Sequence, residues 1–417
     1  MATGKRPDRE IPFPYAEAAM ADGGQITLPS TQNETWKFTN LKGLANTAFE
    51  GAGPVQLNAE DVAALVPFDG DTYQLVIVNG RLVAALGDEL SDVPGISISI
   101  MTSSDDGMAD SDGQLLPLAA MNQALPGDHL KIHLASGTRL DQPLRIVFVA
   151  TPGDVPVAWH PRLTIELDEG AEATVIEQHV ATGDGRYWSN LVVSASLQRD
   201  SILRHYRIQT EGSGAWHTAC TLAGLEENST YDNFVLSTGA ALARNEIHMA
   251  LRGEGAVGHL NGGYLLDGEQ HGDTTSVIDH LAPGCASRES YRGVLDGKSR
   301  GVFQGKVIVA RHAQKSDGEQ MSRTLLLSRD AEVNAKPELE IYADDVKCSH
   351  GATVGELEDE QLFYLRARGI SLDSARNLLI DGFMSEQLEL VGDEHVREAM
   401  ATNVRRWLAT RLEGRGE

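Results

Sequence analysis

Cysteine is scarce in this chain of 417 residues: Cys220, Cys285 and Cys348 are all there is. Three scattered thiols cannot build a disulfide framework, so stability must come from a packed core, and a reducing compartment is expected. Cations are also under-supplied, with 35 Lys and Arg against 60 Asp and Glu and a formal net charge of −25. Phosphate backbones reward clustered Lys and Arg, so this balance argues against a nucleic-acid partner; the acidic excess reads as solubility or adaptation to salt. No run of about 18 apolar residues occurs, so no membrane span is expected. The first twenty residues, MATGKRPDREIPFPYAEAAM, lack the apolar centre of a signal peptide, and the expected location is the cytoplasm.

Several catalytic signatures are missing too. There is no G-x-x-x-x-G-K-[ST], so the chain is not expected to hydrolyse ATP itself, and no G-x-S-x-G nucleophile elbow. Gly253, Gly255 and Gly258 spell G-x-G-x-x-G, but no βαβ helix follows, and they read as turn and packing glycines.

What is present falls into three parts: residues 1–125, 126–353 and 354–417. The first mixes helix and strand signals. Tyr15 to Met20 reads as helix, Gln74 to Leu86 as a hairpin turning at Asn79-Gly80, and LLPLAAMNQAL as a short helix before Pro126-Gly127. The second part is a succession of short Val/Ile/Leu/Thr-rich runs punctuated by Gly, Asp and Asn. Segments opening on a turn residue start at Gly170, Asp200, Asn228 and Gly255, and a fifth starts at Cys285, which places them 27 to 30 residues apart. That period suits one coil of a β-solenoid; an irregular antiparallel sandwich is the competing reading. The third part is helical. One helix ends at Gly369, a second is capped by Ser371 and runs to Gly392, and a third is capped by Asp393 with Val396, Met400, Val404, Trp407 and Leu408 as its apolar stripe. Such helices must bury that stripe on each other, on the solenoid end or on a partner.

Chemistry concentrates in EIYADDVKCSHGATVG, Glu340 to Gly355. Read as one strand, it places Asp344, Val346, Cys348 and His350 on one face, and sets Asp344 and Asp345 on opposite faces, so they make no acid–base pair. A thiol and an imidazole two residues apart can meet one soft metal ion or one sulfur species. Two ligands fall short of a closed zinc or iron–sulfur site, so further ligands would have to come from elsewhere. The alternative is a buried cysteine beside a structural histidine. Cys220 and Cys285 read as core residues, with His217 on the strand face opposite Cys220. His248, His259, His271, His280 and His312 receive no function.

At Glu340 to Gly355 the chain resembles the SufB/SufD family of iron–sulfur cluster assembly scaffolds. The likeness continues through DEQLFYLRARGIS and Asp381-Gly382-Phe383, covers GVFQGKVIVARHAQKSDGEQMSRTLLLS from Gly301 to Ser328, and echoes in ETWKFTNL from Glu34 to Leu41. SufB-like members read His-Glu-Ala-Thr where this chain reads His350-Gly351-Ala352-Thr353, so the SufD branch is the better match. The resemblance implies a mainly β fold, a right-handed parallel β-helix flanked by an N-terminal mixed region and a C-terminal helical domain. It implies a non-catalytic subunit that pairs with a SufB-like partner through the β-helix and docks a SufC-like ATPase through the C-terminal helices. Cys348 and His350 would then lie at the SufB interface, handling iron or sulfur of a nascent cluster. It also allows a flavin in the complex, for which no residue here can be singled out, and a homodimer outside it. A SufB-like self-pairing scaffold is the first alternative; a polysaccharide lyase or hydrolase on a β-helix is the second.

Overall fold

The computed structural model describes residues 28–53, 55, 57–101 and 116–413. The helix expected at Tyr15 to Met20 lies outside them. The chain climbs in parallel coils, each coil giving one strand to an eleven-stranded sheet and the next to a ten-stranded sheet. The solenoid expectation therefore holds over the sandwich, and the 27-to-30-residue period is one full coil of two strands. Every segment that opened on a turn residue enters the same, ten-stranded sheet, at strands Glu172–Ala181, Ile202–Gln209, Thr230–Ser237, Val257–Leu266 and Ala286–Leu295.

Those turn residues form one column of corners. Gly137, Gly170, Asp200, Asn228, Gly255, Gly284 and Lys315 all adopt left-handed backbone, with φ between 55° and 70°. Each corner N–H donates to a carbonyl one coil further along: Gly170 to Arg199, Asp200 to Glu227, Asn228 to Glu254, Gly255 to Pro283, Gly284 to Gln314, and Lys315 to Asp345 at 2.6 Å. The corner is thus a hydrogen-bonded ladder, and its geometry explains why Gly, Asp and Asn recur there. Gly253, Gly255 and Gly258 belong to this turn and the strand after it, where no helix follows.

The interior is apolar over one half of the coil's width. Leu203, Tyr231 and Leu260 stack there with Val175, Ile247 and Ile278. The other half is polar. Glu177 accepts from Arg207 Nε at 2.7 Å, its other oxygen lies 2.6 Å from His205 Nε2, and Arg207 also reaches Asn245 at 3.1 Å. Burial raises and the surrounding cations lower the Glu177 pKa; the cations win, and it stays well below the carboxylate range. A buried charge survives here because every charge in the group is paired and hydrogen-bonded.

Sheets buried on both faces need covers. The N-terminal segment covers the eleven-stranded sheet. Trp36, fully buried, packs with Leu41, Leu44, Phe49 and Trp188, and the Arg244 guanidinium lies 3.8 Å from its ring centroid. Thr35 O accepts from Arg244 and from Gln304, both at 3.1 Å, and Glu34 pairs with Lys336 at 2.7 Å. The ETWKFTNL segment thereby straps several coils together. Residues 73–78 and 81–82 form the expected hairpin about Asn79-Gly80, both with positive φ, and helix Pro117–Ala124 forms where expected.

Of the three C-terminal helices, Asp359–Arg366, Leu372–Leu388 and Glu394–Glu413, the last two cover the other sheet. Ser371 Oγ accepts from Ser374 N at 3.2 Å, and Asp393 Oδ1 from Val396 N at 3.0 Å, so both expected caps are made. The predicted stripe from Val396 to Leu408 is buried against Tyr206, Phe234, Leu236 and Val294. The helices dock on the side of the solenoid, and the second stops at Leu388, four residues before the expected Gly392. No helix among the described residues is long and apolar enough to cross a membrane.

Candidate functional site: the open last coil

The two ends of the solenoid differ. At the first, antiparallel strands Ile96–Met101 and Arg81–Leu82 close the two sheets. At the other, strands Glu332–Ile341 and Lys347–Gly355 are the terminal strands of their sheets, each paired on one side only. Solenoids ordinarily shield such edges with a cap, and an unshielded edge is a template for another strand. Exposed large apolar side chains gather on the same coil: Ile341, Tyr342 and Val354, with Tyr342 58 % exposed. An apolar patch on an open edge marks an interaction surface.

The segment Glu340 to Gly355 is not one strand, which corrects the sequence expectation. It leaves the eleven-stranded sheet at Ile341, turns through Asp344-Asp345 and enters the ten-stranded sheet at Lys347. Asp344 and Asp345 are corner residues: Asp345 N donates to Gln314 Oε1 at 2.9 Å, and its carbonyl receives the Lys315 N–H. The alternation expected across the motif therefore applies only from Lys347 onward.

Within that strand, Cys348 pairs with Gly318 and His350 with Gln320. Gly318 and Gln320 are buried on the inward face, and by this register Cys348 and His350 share that face. The expected juxtaposition of thiol and imidazole along one side of the strand is present. Cys348 is half-buried against the core with Val346, whereas His350 is exposed. Burial, with a small addition from Asp317, raises the Cys348 thiol pKa, so in the isolated chain it holds its proton. Among the described residues no further His, Cys, Asp or Glu joins this pair into a metal-binding group. Two coils inward from His350, Glu289 pairs in register with Gln320 and is buried; burial pushes its carboxyl up to about 7. Nothing in the spacing around Glu289 marked it in the sequence.

Cys220 and Cys285 are core residues as expected, both free thiols and both buried. Cys220 packs outward against Leu116 and Ala119, while His217 faces the interior.

Comparison with known proteins follows this geometry. Residues 148–383 match the profile described as "SUF system FeS cluster assembly, SufBD core domain". The iron–sulfur cluster assembly protein SufD of Escherichia coli K12 is 34% identical over 401 residues, 94% of this chain and 92% of the relative. An iron–sulfur cluster assembly SufBD family protein of Synechocystis is 31% identical over 388 residues, 88% of this chain and 85% of the relative. Protein ABCI7, chloroplastic, of Arabidopsis thaliana is 31% identical over 396 residues, 90% and 82%. The fold and the matched profile together place the chain in a class of iron–sulfur cluster assembly proteins. The chain belongs to the SufBD family of iron–sulfur cluster assembly proteins, and to its SufD type.

Proposed function

We propose that this chain is the non-catalytic scaffold subunit that completes its open coil with a SufB-like partner in the cytoplasm, so that a nascent iron–sulfur cluster is built at the junction. The observation carrying this reading is the uncapped last coil, with Cys348 and His350 along its inward face. Edge-to-edge pairing would satisfy the free backbone groups and cover Ile341, Tyr342 and Val354. The cluster is cargo. His350 offers iron a neutral imidazole, and Cys348 offers sulfur as acceptor or ligand; the partner supplies the remaining ligands.

A second surface fits the ATPase. Helix Asp359–Arg366 buries no residue, and Phe363 and Tyr364 are 74 % and 56 % exposed. A SufC-like ATPase docked there supplies the hydrolysis that this chain has no P-loop to perform, and its movement would flex the paired solenoids. In this division residues 126–353 carry the partner interface and 354–417 the ATPase dock. The reading is tested by anaerobic co-purification of the tagged chain with SufB-like and SufC-like partners. The expected complex holds one SufB-like subunit, two ATPases and one copy of this chain, with bound iron and sulfide. His350→Ala is expected to assemble the same complex with its cluster iron lost. Recovery of the chain without either partner overturns the proposal, and a self-pair that binds iron would favour the SufB-like alternative.

A further inference from the structure

Far from the open coil, three buried residues converge where the two sheets meet. His179 lies near the end of strand Glu172–Ala181 in the ten-stranded sheet, and His217 near the start of strand Ala215–Leu225 in the eleven-stranded sheet. Glu211 sits in the connection between Gln209 and Ala215. One ligand atom from each lies within 4.8 Å of the other two, and all three side chains are buried. The imidazole rings of His179 and His217 meet edge to face with centroids 4.8 Å apart. Along the ten-stranded sheet, His179 and Cys348 lie on strands six spacings apart, about 29 Å.

The hydrogen bonding around these three is lopsided. Nδ1 of His217 is 2.7 Å from Glu211 Oε2, whereas its Nε2 has no hydrogen-bond partner. A fully buried imidazole with a nitrogen left unsatisfied is costly and calls for an explanation. Its neighbours are, by contrast, held in place. His179 Nε2 is 2.9 Å from Glu177 Oε2. Tyr187 OH donates to Glu211 Oε1 at 2.9 Å, and Gln209 Nε2 donates to Oε2 at 3.1 Å. Carboxylate-to-histidine and donor-to-carboxylate contacts of this kind are the supporting shell that metal ligands carry.

We infer that His179, Glu211 and His217 form a binding site for one divalent transition-metal ion of the zinc or ferrous class. Two imidazoles and one carboxylate suit borderline ions, whereas magnesium and calcium prefer all-oxygen sites and cuprous ions prefer sulfur. With one ligand from each sheet and one from their connection, the ion clips the two sheets together at this corner. The site is distinct in place and in donor chemistry from the Cys348–His350 pair.

The test uses the full chain, tag removed and stripped of metal, titrated with Co2+ and followed by absorption, with Zn2+ binding measured by calorimetry. The expected result is one equivalent bound, with the visible bands of a four- or five-coordinate nitrogen–oxygen site and no thiolate charge-transfer band. The Cys348→Ser, His350→Ala double variant keeps that equivalent. His217→Gln and Glu211→Gln each weaken it at least a hundredfold, and Tyr187→Phe about tenfold, as loss of a supporting contact does. Circular dichroism of each variant separates a lost ligand from a lost fold, and the wild-type spectrum reads the donor set without any variant. Absence of stoichiometric binding by the folded wild-type chain, a thiolate band, or binding undiminished in folded His217→Gln would each overturn the inference.

Discussion

A half-buried cysteine two residues from an exposed histidine behaves differently from either residue in water. Burial favours the uncharged form of a thiol, so Cys348 requires more alkaline conditions than an ordinary cysteine to become nucleophilic. In the native chain, alkylation of Cys348 at pH 8 is expected to be slower than that of a free thiol and to accelerate as pH rises. Cys220 and Cys285 should label only on unfolding, since both are buried. Mass-spectrometric labelling against pH checks this; rapid labelling of Cys348 at neutral pH would mean its surroundings stabilise the thiolate. Glu289 carries a second residue-scale consequence. Its folded pKa of about 7 lies above the 4.5 of an ordinary glutamate, so the native state holds a proton that the unfolded chain has lost. The associated stability is therefore complete below about pH 4.5 and is lost as pH rises through 7, by about 3 kcal/mol in order of magnitude. Denaturant unfolding of wild type and Glu289→Gln from pH 4.5 to 8 should show the two curves diverging in that window, with the variant flatter.

At the scale of elements, the corner ladder was legible as a rhythm of Gly, Asp and Asn because only such residues take left-handed backbone at low cost. Lys315 is the exception, with φ of 62° on an ordinary side chain, and it stands on the corner one coil before the candidate site. Replacing it by glycine removes a steric cost of about 1 kcal/mol, so Lys315→Gly is expected to stabilise the chain by about that amount, read by the denaturation midpoint. A destabilised variant would show that the lysine side chain makes contacts worth more than its backbone strain. The three C-terminal helices were equally legible, since Ser371, Asp393 and the stripe at Val396, Met400 and Val404 are local signals. Where those helices dock was not, because period and capping say nothing about which surface receives an apolar face. The sequence also ran the motif from Glu340 to Gly355 into one strand. Asp344-Asp345 marks the corner there, a turn signal of the same kind as Asp200 that the one-strand reading passed over.

Across the whole molecule, the sequence disclosed the solenoid and the place of Cys348 and His350, and it missed the polar half of the interior. Glu177, His179, His205 and Arg207 stand in polar stretches, beside Gln178 and Arg204, that read as solvent-facing. Only the covers on both sheets, and the pairing of each charge with another from the next coil, reveal that these residues face inward. The same wrapping leaves one end of the molecule unfinished: the first coils are closed by antiparallel strands, and the last presents two free edges. That asymmetry is the physical basis for expecting a partner at one end and not the other. The most direct measurement is amide hydrogen exchange of the chain alone and in complex with a SufB-like subunit. The account predicts fast exchange of edge amides in Glu332–Ile341 and Lys347–Gly355 in the free chain, and strong protection of both strands on pairing. Partner binding that leaves both strands unprotected, with protection arising elsewhere on the solenoid, would contradict it.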